Sequence, residues 1–256
     1  MKHALLNNVT HKDLKVITRP AAKYGDSVGA VIIFPTEYAD ILCEYPILIR
    51  KDPATSEFQS VALLGFAEDE NLFLDATGWN ASYIPGVLAK GPFLIGFEER
   101  EIDNEICSEP VIHIDMNHPR VSVGSAEKGE PVFLTFGGNT PYINRIAKIL
   151  KTIHSGMLMS KSMFDAFCSY DLIEPVTIEV NPNEERQYSL NGYHTISEEK
   201  LAALSGDSLE QLNKAGFLPL AFFVIASLNN MKKLIAMKNR RIANVQRDQE
   251  LAKEKV

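Results

Sequence analysis

Near residue 140 the apolar residues of this chain change their spacing, and that change limits the fold more than any other feature. From Val16 to about Phe136, short runs rich in Val, Ile, Leu and Phe are punctuated by Gly, Pro, Asn and Asp, the pattern of strands joined by turns. The runs cover residues 28–34, 47–51, 60–66, 71–75, 93–97, 111–114 and 132–136. After it, Ile143, Ala147, Leu150, His154 and Met157 recur every three or four positions, the period of a helix with one buried face. Thr140 stands at the N-cap of that helix and Pro141 at its favoured first position. The expected class is α+β. A mainly antiparallel, β-rich portion over residues 1–136 packs against a mainly helical portion over residues 137–256, as one compact unit.

Local signals add detail to this outline. Connections among the middle runs, 60–66, 71–75 and 93–97, are too short for parallel crossovers and predict an antiparallel meander. Short helices are expected over residues 36–44, after Pro35, and 82–90, with Ser82 as cap and Pro85 in the first turn. Gly156 is expected to weaken or bend the long helix, with Ser160 or Ser162 starting a second one through Phe164 and Phe167. Residues 176–180 and 187–190, around 181–185, predict a hairpin. Ser197 is expected to cap a helix to Leu204, Asp207 and Glu210 to start one ending near Gly216, and a last helix to run from Leu218 beyond Arg240. No repeat or linker divides the chain; any boundary falls around residues 124–138.

With 45% hydrophobic and 23% charged residues, the chain lies far from the disordered regime. The net charge of -7 disfavours binding to nucleic acid. Charge is unevenly spread: residues 232–256 carry eight basic and three acidic groups, which leaves -12 on the rest. Such a basic stretch reads as the solvated face of a helix or as a contact for an acidic partner or a membrane surface. Cys43, Cys107 and Cys168 fit neither a disulfide framework nor a zinc site. With no apolar segment of secretory type over residues 1–16, a cytoplasmic location is expected. The longest apolar run, 217–228, is about 12 residues against the roughly 20 that cross a bilayer, so no transmembrane span is expected.

No Walker loop, dinucleotide fingerprint, zinc pair or nucleophile elbow occurs, so no catalytic residue is assigned. The sharpest chemical pattern is His113-Ile114-Asp115, followed by His118. Residues two apart on a strand share a face, so His113 and Asp115 with His194 as third ligand could build the facial triad of a non-haem Fe(II) oxygenase using 2-oxoglutarate. His154, on the helical stripe, reads instead as a core histidine. Trp79 and Tyr83 are either core aromatics or the wall of a ligand or partner site. Glu68, Asp69, Glu70 and Asp75 read as a solvated turn, and Gly137-Gly138-Asn139-Thr140 as a turn and helix cap.

Tyr45-Pro46-Ile47, Val61-Ala62-Leu63-Leu64-Gly65, Glu70-Asn71-Leu72-Phe73-Leu74-Asp75 and Gly78-Trp79-Asn80-Ala81-Ser82-Tyr83-Ile84-Pro85 follow one another at short intervals. Together with Asp171-Leu172-Ile173-Glu174-Pro175, Leu190-Asn191-Gly192, Lys200-Leu201 and the stretch from Gly216-Phe217-Leu218 through Ser227-Leu228, they resemble the bacterial SapC family over nearly the whole chain. The resemblance implies a link to surface-layer protein or its export. It also implies company with flavin-dependent tryptophan halogenases, cupin-like oxygenases and TonB-type receptors, and it brings no catalytic residues. The expectation is a soluble accessory or binding protein in peptide or surface-protein handling. A surface or exported protein, a TonB-type receptor or a halogenase-associated system is its expected partner. The oxygenase is the alternative.

Overall fold

A computed structural model describes residues 2–102, 105–123, 129–183 and 186–253. In chain order the first strands are β1 (His3–Leu5), β2 (Leu14–Val16), β3 (Ala30–Ile33), β4 (Ile47–Lys51) and β5 (Phe58–Leu63), with helix α1 (Tyr38–Ile41) after β3. There follow β6 (Leu74–Asp75), β7 (Gly78–Trp79), α2 (Gly86–Ala89), β8 (Phe93–Ile102), β9 (Glu105–Asp115), β10 (Val121–Val123) and β11 (Glu130–Pro131). The rest comprises α3 (Pro141–Ser169), β12 (Ile173–Asn183), β13 (Arg186–Ile196), α4 (Glu198–Ala202), α5 (Gly206–Lys214), α6 (Leu218–Ser227) and α7 (Asn230–Lys253).

The protein is α+β, and among the described residues all strand pairs are antiparallel. The largest sheet has the order β12-β13-β4-β5-β3, so it draws strands from both sides of the long helix. Two three-stranded sheets, β1-β9-β8 and β10-β2-β11, and the β6-β7 pair complete the set. The expected meander is not formed. Among the described residues, β5 pairs with β3 and β4, β6 closes only onto β7, and β8 pairs with β9. Short connections excluded parallel crossovers but did not select the partner. The hairpin of β12 and β13 is longer than its two apolar runs, and Glu184 and Glu185 of its turn lie outside the described residues. So do residues 124–128 of the expected boundary.

Helix α3 organises the interior. Thr140 caps it, its hydroxyl accepting from Ile143 N at 3.4 Å, and Pro141 opens it as expected. Gly156 does not break it: the helix runs unbroken for 29 residues. Any side chain at 156 would lie 2.5 Å from Phe34 Cβ and from Thr36 Oγ1, so glycine here permits a close crossing, fastened where the Thr36 hydroxyl donates to Thr152 O at 2.9 Å. The buried stripe contains Ile143, Ile146, Leu150, Ile153 and Gly156, while Ala147 and Met157 face outward. Tyr142, Ile143, Ile146 and Leu150 join a smaller apolar cluster with Leu14, Val16, Phe93 and Ile114. Met163, Phe164 and Phe167 join the larger one, built on the five-stranded sheet.

Three caps differ from expectation, the first being Ser197, which stands before α4 without a side-chain capping bond. Ser82 binds the Glu44 carboxylate instead of capping α2, which begins after Pro85, and α5 is capped by Ser205, whose hydroxyl accepts from Ser208 N at 3.2 Å. The 132–136 run is not a strand: Phe133 bridges to Asn139 across a turn whose Phe136 is fully exposed. Among the described residues, the 218–253 segment is long and apolar enough, by length and composition only, to cross a membrane. Here it divides into α6 and α7 at Leu228 and Asn229; α6 buries Leu220, Ala221 and Val224, and Ser227 Oγ accepts from Ile47 N at 2.8 Å.

Candidate functional site

Trp79 is presented by a four-residue turn. The Asp75 carboxylate accepts from the Thr77 hydroxyl at 2.6 Å, Thr77 N at 2.7 Å, Asn80 Nδ2 at 2.6 Å and Gly78 N at 3.3 Å. These bonds, the Thr77 hydroxyl first, hold its pKa down at about 2. Gly78 has φ +131°, a conformation side chains disfavour. Trp79 Nε1 then donates to the Tyr45 hydroxyl at 2.9 Å, and that hydroxyl donates to Tyr83 O. The Tyr83 hydroxyl in turn donates to Glu37 at 2.8 Å, where Gly86 N at 2.9 Å and Phe34 N at 3.1 Å also donate. Burial raises the Glu37 pKa against these three bonds. Trp79 and Tyr83 are therefore brought together, but with different standing. Tyr83 is held inside a hydrogen-bonded network, while Trp79 turns part of its ring to a cleft.

That cleft, of about 320 Å³, lies between the two apolar clusters. Trp79, Ile84 and Leu88 line it together with Tyr142, Ile146 and Ile149 of α3. Its buried charge is Arg120, whose Nη2 meets Asp26 Oδ2 at 2.5 Å and whose Nη1 donates to Ile17 O at 2.7 Å and Arg19 O at 3.0 Å. The guanidinium also rests 4.9 Å from the Tyr24 ring centre, and Asp26 Oδ2 accepts from Ala21 N at 2.7 Å. Arg145 is exposed, with its guanidinium 5.7 Å from the Tyr142 ring centre; burial pushes the Tyr142 phenol up to about 12. The lining includes no histidine or cysteine, and its one carboxylate, Asp26, is engaged by Arg120 and Ala21. The size and the apolar side chains of this lining suit an apolar or aromatic group.

The His-x-Asp pair lies elsewhere. His113, in β9, stands opposite Leu94 and Leu5, and its ring covers Gly96, where an added Cβ would lie 2.6 Å from Cδ2. Asp115, opposite His3, accepts from Asn117 N at 3.0 Å, a bond that lowers its pKa and holds the following turn. His118 Nδ1 accepts from Arg120 N at 3.1 Å. His194 sits in the five-stranded sheet opposite Ile49, its ring 5.3 Å from Phe58 in edge contact and its Nδ1 buried without a partner. Burial first, then Lys51, lowers its pKa. The three proposed ligands are thus split between two sheets. No three His, Cys, Asp or Glu among the described residues gather closely enough for a metal ion. This donor set does not fit Fe(II) with 2-oxoglutarate, so no step is derived through them. His154 packs on Phe97, ring centres 4.9 Å apart. Cys43 and Cys168 are exposed free thiols, the latter raised in pKa chiefly by burial, and the Cys107 side chain lies outside the described residues.

Sequence reasoning singled out Trp79 but missed Asp26, Arg120 and Tyr142. Asp26 and Arg120 are 94 residues apart and carry no local motif. The chain matches no curated protein and no solved structure. The model of one family, SapC, matches residues 6–234 and so takes in the Trp79 turn, both clusters and the sheet. This chain belongs to the SapC family.

Proposed function

We propose that this SapC family chain is a binding protein, an accessory in the handling or export of surface proteins or peptides, that seats an apolar or aromatic side chain of its partner beside Trp79. The observation that carries the proposal is the lining of the cleft: apolar residues from two clusters, one partly free indole, and a single carboxylate that Arg120 already engages. At about 320 Å³ the cleft is at the small end of ligand sites, which run from about 300 to 1,000 Å³. That size favours a single side chain. The family resemblance supplies the partner class, a surface or exported protein, a TonB-type receptor or a halogenase-associated system, met in the cytoplasm.

The test is cross-linked capture of the tagged protein from its own host, beside a Trp79→Ala variant. Recovery of a surface or exported protein, with cross-links around the cleft and loss in the variant, is the expected result. Equal recovery by both forms removes the cleft from the interaction. Trp79 is the sole tryptophan, so a peptide from the captured partner should shift its emission saturably. An unmoved emission while the peptide binds overturns the proposal.

A further inference from the structure

Away from the Trp79 cleft, the half-buried Arg50 lacks the kind of partner that Arg120 and Lys238 have. Arg120 and Lys238 each meet a carboxylate, at 2.5 and 2.6 Å. Arg50, in the central strand β4 opposite Gln59 and Tyr193, meets none: among the described residues its guanidinium has neither an ion pair nor a hydrogen bond, and its Nε is fully buried. A guanidinium stripped of water at one nitrogen, with no acceptor in exchange, is a costly arrangement that an incoming anion relieves.

Arg50 lines a cleft of about 520 Å³, with Tyr193, Ser189 and Asn191 from β13, and Phe66 and Glu68 from the turn after β5. The backbone holds the turn after β5 firmly. Gly29 N donates to Glu68 O at 2.7 Å and Gly65 N to Gly29 O at 3.0 Å, and a Cβ at either glycine would lie 2.0 Å from Ala67 O or 2.2 Å from Glu70 O. Ser189 Oγ accepts from Asn191 Nδ2 at 3.2 Å, which leaves its hydrogen free to donate; the Tyr193 hydroxyl has no partner among the described residues. The one acidic side chain of the lining, Glu68, is exposed and lies beyond ion-pair distance of Arg50.

We propose that this cleft is a binding site for a small oxyanion, a carboxylate or phosphate group, held by the guanidinium of Arg50 with the hydroxyls of Tyr193 and Ser189 as further donors. The planar fork of arginine matches two oxygens of either group.

The test is a titration of the full chain with inorganic phosphate and, separately, acetate. The readouts are the Arg50 Nε–H resonance and the backbone amides of Gly65, Asn191 and Tyr193. Saturable shifts confined to these signals are expected, and the probe that produces them distinguishes a phosphate from a carboxylate ligand. Arg50→Gln should abolish saturation. Tyr193→Phe, which keeps the sheet contact, should weaken binding about tenfold, the scale of a hydrogen bond to a charged group. Glu68→Gln, which removes the opposing charge, should tighten it. Shifts that saturate with neither probe overturn the proposal, as does affinity unchanged in Tyr193→Phe, a result that counts even where Arg50→Gln fails to fold.

Discussion

Two buried ion pairs tie distant parts of this chain together, and they are built differently. Arg120 and Asp26 leave 7% and 6% of their side chains exposed, Lys238 and Glu70 9% and 12%. Arg120 spreads its planar fork over a carboxylate and two carbonyls and lies on Tyr24. Lys238 makes one bond, to Glu70, and sits 4.7 Å from the Tyr188 ring centre. The first pair is a three-way junction of the 17–26 segment with the turn before β10. The second is a point contact of α7 with the turn after β5. An arginine junction depends on geometry, a lysine contact mainly on charge.

The largest effect should come from Asp26→Ala, which leaves a sealed guanidinium without its counter-charge. A loss of about 3–5 kcal/mol in urea unfolding is expected, and a loss below about 1 kcal/mol would break the contrast. Next is an exchange of the two cations. Arg120→Lys, unable to reach three acceptors at once, should cost about 2 kcal/mol, whereas Lys238→Arg should stay within about 1 kcal/mol. Equal costs would mean that geometry does not separate the pairs. Glu70→Gln should cost about 1–2 kcal/mol, because Tyr188 still faces the ammonium and Phe66 N keeps an acceptor.

The pH dependence sharpens the contrast at the α7 end. Burial pulls the Lys238 pKa down, but Glu70 and Tyr188 outweigh it and leave it raised. Its contribution is therefore complete below the ordinary lysine value and lost only as pH rises through the higher folded one. At the other limit Glu44, bonded to Lys233 and Ser82, is lowered to about 2. Its contribution is present above the ordinary glutamate value of 4.5 and lost as pH falls towards 2. Melting of Glu44→Gln across that acid range should show a flatter limb than the parent; an identical limb would refute the assignment. The smallest effect belongs to Lys214→Ala, whose exposed partner Glu210 lies one turn away: less than about 0.5 kcal/mol in the same unfolding assay.

What was legible depended on range along the chain. The start of α3 was written in Thr140 and Pro141, and the end of α5 in Gly216, because caps act over three or four residues. Gly156 misled because helix propensity concerns the isolated helix, while its use here is a crossing with Phe34 and Thr36. The basic stretch after residue 232 misled in part for the same reason. Lys233 pairs with Glu44, Lys238 with Glu70, and Arg241 donates to Leu74 O at 2.8 Å, so several of its charges belong to the fold rather than to a solvated face.

At the candidate site Trp79 stood out as the single tryptophan beside turn residues, and the Asp75 turn was readable. That Tyr83 serves Glu37, and that Arg120 brings a buried charge to the cleft, followed only from packing.

By itself the sequence determined the α+β class, the long capped helix and membership of the SapC family, since period, caps and ordered motifs are local or linear properties. Tertiary structure alone decided which strands pair, that His113 and Asp115 stand in one sheet and His194 in another, and that Asp26 meets Arg120 across 94 residues. The physical reason is that apolar period states which face is buried but not against what. Partners are chosen by the packing of whole elements, and a buried charge then takes whichever acceptor that packing brings within reach.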